Sequence, residues 1–133
     1  MKNFLSIALI YSVLLSCSSK KDETDQCIYA VNLPAVEVSD VENGTVNEPL
    51  RFNIKSQYHN GCGSFKDFSE KTEGNIITVV VNGMNMGCIC TQAFVHFDKD
   101  YVFVPKQAGT YTFKFKSTQN SYIERQVVVN LKA

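Results

Sequence analysis

The chain has 133 residues, with 13 basic and 13 acidic side chains and no tryptophan. That balance provides no basic field for nucleic acid. The length holds one small domain with a true core and leaves no room for a second.

The amino end opens on Met1 and Lys2 and continues into an uncharged apolar run from Phe4 to Leu15. As a helix this run would reach about 18 Å, short of the ~20 residues that a bilayer core requires. It has the dimensions of the apolar part of a signal peptide. The run stops at Cys17-Ser18-Ser19-Lys20-Lys21-Asp22-Glu23.

Leu14-Leu15-Ser16-Cys17 resembles the bacterial lipobox. The resemblance implies cleavage before Cys17, with residues 1–16 removed, a diacylglyceryl group on the Cys17 sulfur and acylation of its freed amine. A thiolate is a suitable nucleophile for a lipid donor. Two acyl chains anchor stably where one binds only marginally. Cleavage removes one charge, Lys2, so the remaining chain is net about −1, again no field for nucleic acid. Residues 17–26 are polar and lack apolar periodicity, as expected of a tether. Ser18 after the cysteine resembles outer-membrane sorting in diderm bacteria. Lys21-Asp22-Glu23 resembles the acidic export signal of Bacteroidota surface lipoproteins. The expected location is the outer membrane, on its surface or its periplasmic face.

From residue 27 onward, glycines and prolines punctuate short segments rich in Val, Ile, Thr, Phe and Tyr. Strands are predicted near 34–39, 49–58, 75–82, 91–98, 100–104, 110–117 and 122–131, with a short edge strand possible at 64–69. The clearest alternation is Thr110–Lys116, where Tyr111, Phe113 and Phe115 share one face. Asn43-Gly44 and Glu73-Gly74-Asn75 read as turns, and Asp98-Lys99-Asp100 as a hairpin connection. About seven short strands predict an all-β domain over 27–133, an immunoglobulin-like or related antiparallel β-sandwich, with a small barrel as the alternative. Gly109-Thr110-Tyr111 resembles the penultimate strand of immunoglobulin-like modules. The inter-sheet Cys…Trp…Cys pattern is missing.

With Cys17 lipidated, Cys27, Cys62, Cys88 and Cys90 remain as disulfide candidates. A compartment beyond the inner membrane permits bridges. Cys88 and Cys90 on one strand face would sit roughly 7 Å apart at Cα, too far for a direct bond without a tight bend. Each should therefore pair elsewhere, as 27–88 with 62–90 or as 27–90 with 62–88. Closing a loop of about 60 residues from Cys27 is worth about 4 kcal/mol by chain entropy.

Cys62, Cys88 and Cys90 with Met84, Met86, His59 and His96 are also the soft ligands that copper(I) or zinc would select. Cys88-Ile89-Cys90 lacks redox C-x-x-C spacing. Tyr58–Phe65 reads as a cysteine-pinned turn in which Ser64 has no G-x-S-x-G context. Asp67, Glu70, Asp98 and Asp100 lack EF-hand spacing and read as solubilising surface charge.

Asn60-Gly61-Cys62-Gly63-Ser64-Phe65, Cys88-Ile89-Cys90-Thr91 and Ala108-Gly109-Thr110-Tyr111 together resemble a group of small Bacteroidota lipoproteins of unknown function. The resemblance implies a lipid-anchored β domain and carries over no catalytic residue. The expectation is a non-enzymatic binding or structural module of the cell envelope with no cofactor. Its partners would be the membrane, through acyl chains on Cys17, and a protein or envelope ligand. The alternative is a loop-mediated inhibitor acting through 59–64 or 82–90, or a copper or zinc carrier.

Overall fold

Alternation along Leu50–Tyr58 is complete: residues 50, 52, 54, 56 and 58 are buried and the residues between them are not. A period of two along a pleated strand requires one dry face. The computed structural model describes residues 27–133, and they build two packed sheets from nine strands. In chain order these are β1 (Ile28–Leu33), β2 (Ala35–Val38), β3 (Asn43–Thr45), β4 (Leu50–Tyr58), β5 (Gly63–Glu73), β6 (Ile76–Met86), β7 (Val95–Phe103), β8 (Gly109–Lys116) and β9 (Tyr122–Asn130). The all-β sandwich expected from the sequence is what the chain forms. Residues 1–26, with the expected signal peptide, Cys17 and the tether, lie outside the described residues.

The larger sheet has six strands and the smaller one has the order β2-β4-β7. The long strand β6 organises the larger sheet. Along one edge it pairs with β5 from Ile76 to Asn85. Its other edge is divided: Val81–Met86 pair with β1, and Ile76–Val79 pair in parallel with β8. β8 continues to β9, and β9 pairs in parallel with β3. The sandwich is therefore mainly antiparallel with two parallel pairings.

The chain changes sheets at Pro34, between β1 in the larger sheet and β2 in the smaller. Proline has no N–H to continue a ladder. Its carbonyl still accepts a bond from the Gln57 amide at 3.4 Å.

Aromatic rings fill the space between the sheets. Phe52 of the smaller sheet lies 4.6 Å from Phe113 and 5.2 Å from Phe115 of the larger, centroid to centroid, and all three are inaccessible. Fully burying each such ring contributes roughly 1.5–3 kcal/mol. Tyr111 donates its hydroxyl to the Gln107 carbonyl at 2.9 Å, tying the start of β8 to the loop that leads into it.

Several local expectations require correction. β1 was not predicted, and Asn43-Gly44 is strand rather than turn, because each finds a partner remote in sequence. Asp98-Lys99-Asp100 is no hairpin connection; it runs through the middle of β7, opposite Lys55, Ile54 and Asn53. The charges are tolerated because β7 is an edge strand. Asn53 donates to both Asp98 and Asp100, and the Lys99 ammonium lies 5.4 Å from the centre of the Phe65 ring. The region 91–94 is bent rather than extended, and β5 has eleven residues instead of a short edge segment. A bulge at Lys66 lets Phe65 and Phe68 face the same way, with ring centres 5.2 Å apart. Glu73-Gly74-Asn75 is a turn as expected, with Gly74 at φ 63°.

Candidate functional site

The four cysteines among the described residues meet at one end of the larger sheet. Cys27 precedes β1, Cys62 precedes β5, and Cys88 and Cys90 follow β6. Since β6 lies between β5 and β1 at this end, its continuation passes both neighbours. The bridges are Cys27–Cys88 and Cys62–Cys90, with Cα atoms 4.9 and 5.3 Å apart. This is one of the two pairings left open by the sequence. Cys88 and Cys90 lie beyond the end of β6 in a bend, not on a strand face.

Backbone bonds fix the same loop. The Met86 amide donates to the Cys62 carbonyl at 2.8 Å, Gly87 to Cys27 at 3.2 Å, and Gly61 to Thr91 at 2.9 Å. The Asn60 side chain accepts from the Cys62 amide at 2.9 Å, shaping the turn that leads into the cysteine. A Cβ on Gly63 would overlap the Tyr58 ring, so the close packing here depends on glycine.

Asn85 is the buried polar residue of this end, 2% exposed. Its amide donates at 2.8 Å to each of two carbonyls, those of Cys27 and Gly87. Its oxygen accepts from the Tyr58 hydroxyl at 3.3 Å. Burial, and then hydrogen bonding with Tyr29, push the Tyr58 phenol up to about 12. Sequence reading missed Asn85 and Tyr58. The available signal was parity, since Asn85 continues the inward series Ile77, Val79 and Val81 with a polar side chain.

Two shallow concavities open beside the bridges. One, about 400 Å³, is lined by Cys27, Tyr29, His59, Asn60 and Gln92 among others. The second, about 470 Å³, runs between β1 and β4 past Tyr29, Gln57, Tyr58, His59 and Phe94. Tyr29 and His59 border both. The His59 ring packs on Tyr58 with centroids 4.3 Å apart. Ile89 stands between the two bridges, 98% exposed. The concavities are thus bordered by aromatic, amide and imidazole groups and by no Asp, Glu, Lys or Arg.

The soft-ligand set is not assembled. The four sulfurs are bonded in pairs, and Met84 and Met86 lie on the outward parity of β6. His96 lines a separate concavity with Val36, Lys55 and Asp98, away from the one that His59 borders. Among the described residues no three of His, Cys, Asp and Glu are placed to hold a metal ion. The Ser64 hydroxyl donates to the Met84 carbonyl. Of the carboxylates, Asp67 accepts from Asn82, Glu70 from the Tyr101 hydroxyl, and Asp98 and Asp100 from Asn53.

Residues 52–129, more than half of the chain, match the family model of the ORF11 beta-sandwich domain. The chain belongs to that family. Within this ORF11 beta-sandwich domain the match runs from Phe52 in β4 to Val129 in β9, and so includes Cys62, Cys88 and Cys90. Cys27 and β1 precede the matched segment and join it through the Cys27–Cys88 bridge. No curated protein and no solved structure matches the chain.

Proposed function

We propose that this protein is a lipid-anchored module of the bacterial cell envelope with a non-enzymatic, binding or structural role. The observation that carries the reading is the pair of bridges, Cys27–Cys88 and Cys62–Cys90. Disulfides persist outside the reducing cytoplasm. They occupy four of the five cysteines, and the fifth, Cys17, stands in Leu14-Leu15-Ser16-Cys17, whose resemblance to the lipobox supports acylation there. Two features favour binding or support over catalysis at the bridged end: oxidised sulfur, and open concavities lined without Asp, Glu, Lys or Arg. The small Bacteroidota lipoproteins that the sequence resembles suggest the outer membrane, on either face, as the location. A protein or envelope component is the ligand class for the concavities.

The test is the intact mass of the protein recovered from membranes of cells expressing the whole chain. The expected species begins at Cys17, carries two or three acyl chains and contains two intact bridges. Cys17→Ser should leave the membrane fraction. A chain that begins elsewhere, or a Cys17 sulfur without lipid, ends the lipoprotein reading.

A further inference from the structure

Segments 27–36, 56–65 and 76–97 contain no Asp, Glu, Lys or Arg, although charged residues make up 20% of the chain. The fold brings parts of all three together at the bridged end, through the starts of β1 and β5 and the ends of β4 and β6. The same end displays large apolar side chains. Besides Ile89, residues Ile28, Tyr29, Met86 and Phe94 are between 46% and 59% exposed. Ile28 and Met86 are cross-strand partners, and Phe94 borders the concavity that Tyr29 edges. Ile89 cannot retract, because bridged cysteines hold the chain on either side of it. Ile28 and Met86 point outward from the larger sheet, while Tyr29 and Phe94 lie along the opening between β1 and β4. The apolar groups thus surround this end of the domain, and exposed apolar groups concentrated in one region mark a surface that is covered in use.

We propose that this end lies against the phospholipid bilayer that holds the chain's own anchor, with Ile89, Phe94, Met86 and Ile28 in the interfacial region. The proposal rests on lipidation at Cys17. The chain enters the fold at Cys27, and the Cys27–Cys88 bridge fixes that point beside Ile89. Nine residues lie between Cys17 and Cys27, so ten Cα-to-Cα steps join them. At full extension they reach about 35 Å. The eleven-residue strand β6 is itself roughly 37 Å long. The bridged end is thus always within one tether length of the lipid, and the far end stands a strand length beyond it.

A few apolar side chains bind a bilayer weakly on their own. Attachment through acyl chains converts their contact into an intramolecular event at high effective concentration. The absence of charge matters as much as the apolar area, since a charged group in the interface opposes insertion. Tyr29 has the amphipathic character that suits the boundary between headgroups and water. Held this way, the sandwich would stand upright and present its far loops to the aqueous phase.

The lack of native tryptophan makes a direct test available. The full lipidated protein is reconstituted in phosphatidylcholine vesicles as Ile89→Trp, Phe94→Trp or Lys106→Trp. Lys106 is an exposed residue after β7, whose far end is opposite the bridges. Flotation with the vesicles is measured first, and fluorescence quenching by brominated phosphatidylcholine second. The expected result is flotation of all three, with Ile89→Trp and Phe94→Trp blue-shifted and quenched at least threefold more strongly than Lys106→Trp. Flotation with equal, weak quenching at every position overturns the docking and leaves the anchor standing. Failure to float overturns both. A blue-shifted Ile89→Trp that brominated lipid does not quench assigns the surface to a protein partner or a second copy, and also overturns the docking.

Discussion

The Asn85 amide donates to the Cys27 carbonyl at 2.8 Å, so a buried side chain at the end of β6 holds the residue that leads into β1. The bond lies beside the Cys27–Cys88 bridge and shares its task. One link is covalent and the other polar, and both fix where the chain enters the sandwich.

Replacing Asn85 tests the polar link. Asn85→Ala strips the Gly87 carbonyl of the Asn85 amide and removes one of two bonds from the Cys27 carbonyl, which keeps the Gly87 amide, and from the Tyr58 hydroxyl, which keeps Tyr29. Each buried group left unsatisfied costs about 1–3 kcal/mol. The expected loss in urea unfolding is about 2–4 kcal/mol, with the bridges intact by thiol titration. A loss below about 0.5 kcal/mol would place Asn85 among ordinary surface positions.

Cys27→Ser tests the covalent link. The bridge spans 61 residues, and its removal should cost about 4 kcal/mol by chain entropy. Thiol titration of the folded variant should find one new reactive thiol, on Cys88. Cys62→Ser should expose Cys90 and cost slightly less, since that loop spans 28 residues. Four reactive thiols in the unaltered native domain would contradict both bridges.

Core and surface aromatics should respond differently to truncation. Phe52 touches Phe113 and Phe115 across the sheets and has no exposed surface. Phe52→Ala is expected to cost about 3–5 kcal/mol. Ile89 is almost wholly exposed, and Ile89→Ala should change unfolding free energy by less than about 0.5 kcal/mol. The comparison separates a residue kept for packing from one whose role lies outside the fold.

Two tyrosines should titrate late. The Tyr58 phenol is pushed up to about 12, by burial first and then by Tyr29. Tyr101 is also raised, by burial first and then by its bond to Glu70. Between the ordinary phenol value near 10 and the folded value, the folded state holds protons that the unfolded state has released. Stability therefore falls as pH rises through that window and is unaffected by these groups below it. Tyrosinate absorbance should show part of the tyrosine signal delayed until unfolding. Tyr58→Phe should weaken the alkaline loss and remove one late-titrating group.

The alternation of Leu50–Tyr58 and of Tyr111, Phe113 and Phe115 was legible because burial of one strand face imposes a period of two on neighbouring residues. The cysteine count and spacing likewise restricted the bridges to two schemes. Asn85 at an inward position was visible as an anomaly, but its partners were not, since Cys27 lies 58 residues away.

By itself, the sequence determined the all-β class, the inward faces of the strongest strands and the set of cysteines that must find partners. These follow from local patterning, which needs only a residue and its near neighbours. Tertiary structure alone decided which strands pair, that the chain changes sheets at Pro34, that Asp98–Asp100 runs through a strand, and that Cys88 bonds Cys27 rather than Cys62. Those outcomes depend on hydrogen bonds and packing between segments far apart in the chain. A strand's alternation records that one face is dry and not which partner keeps it so.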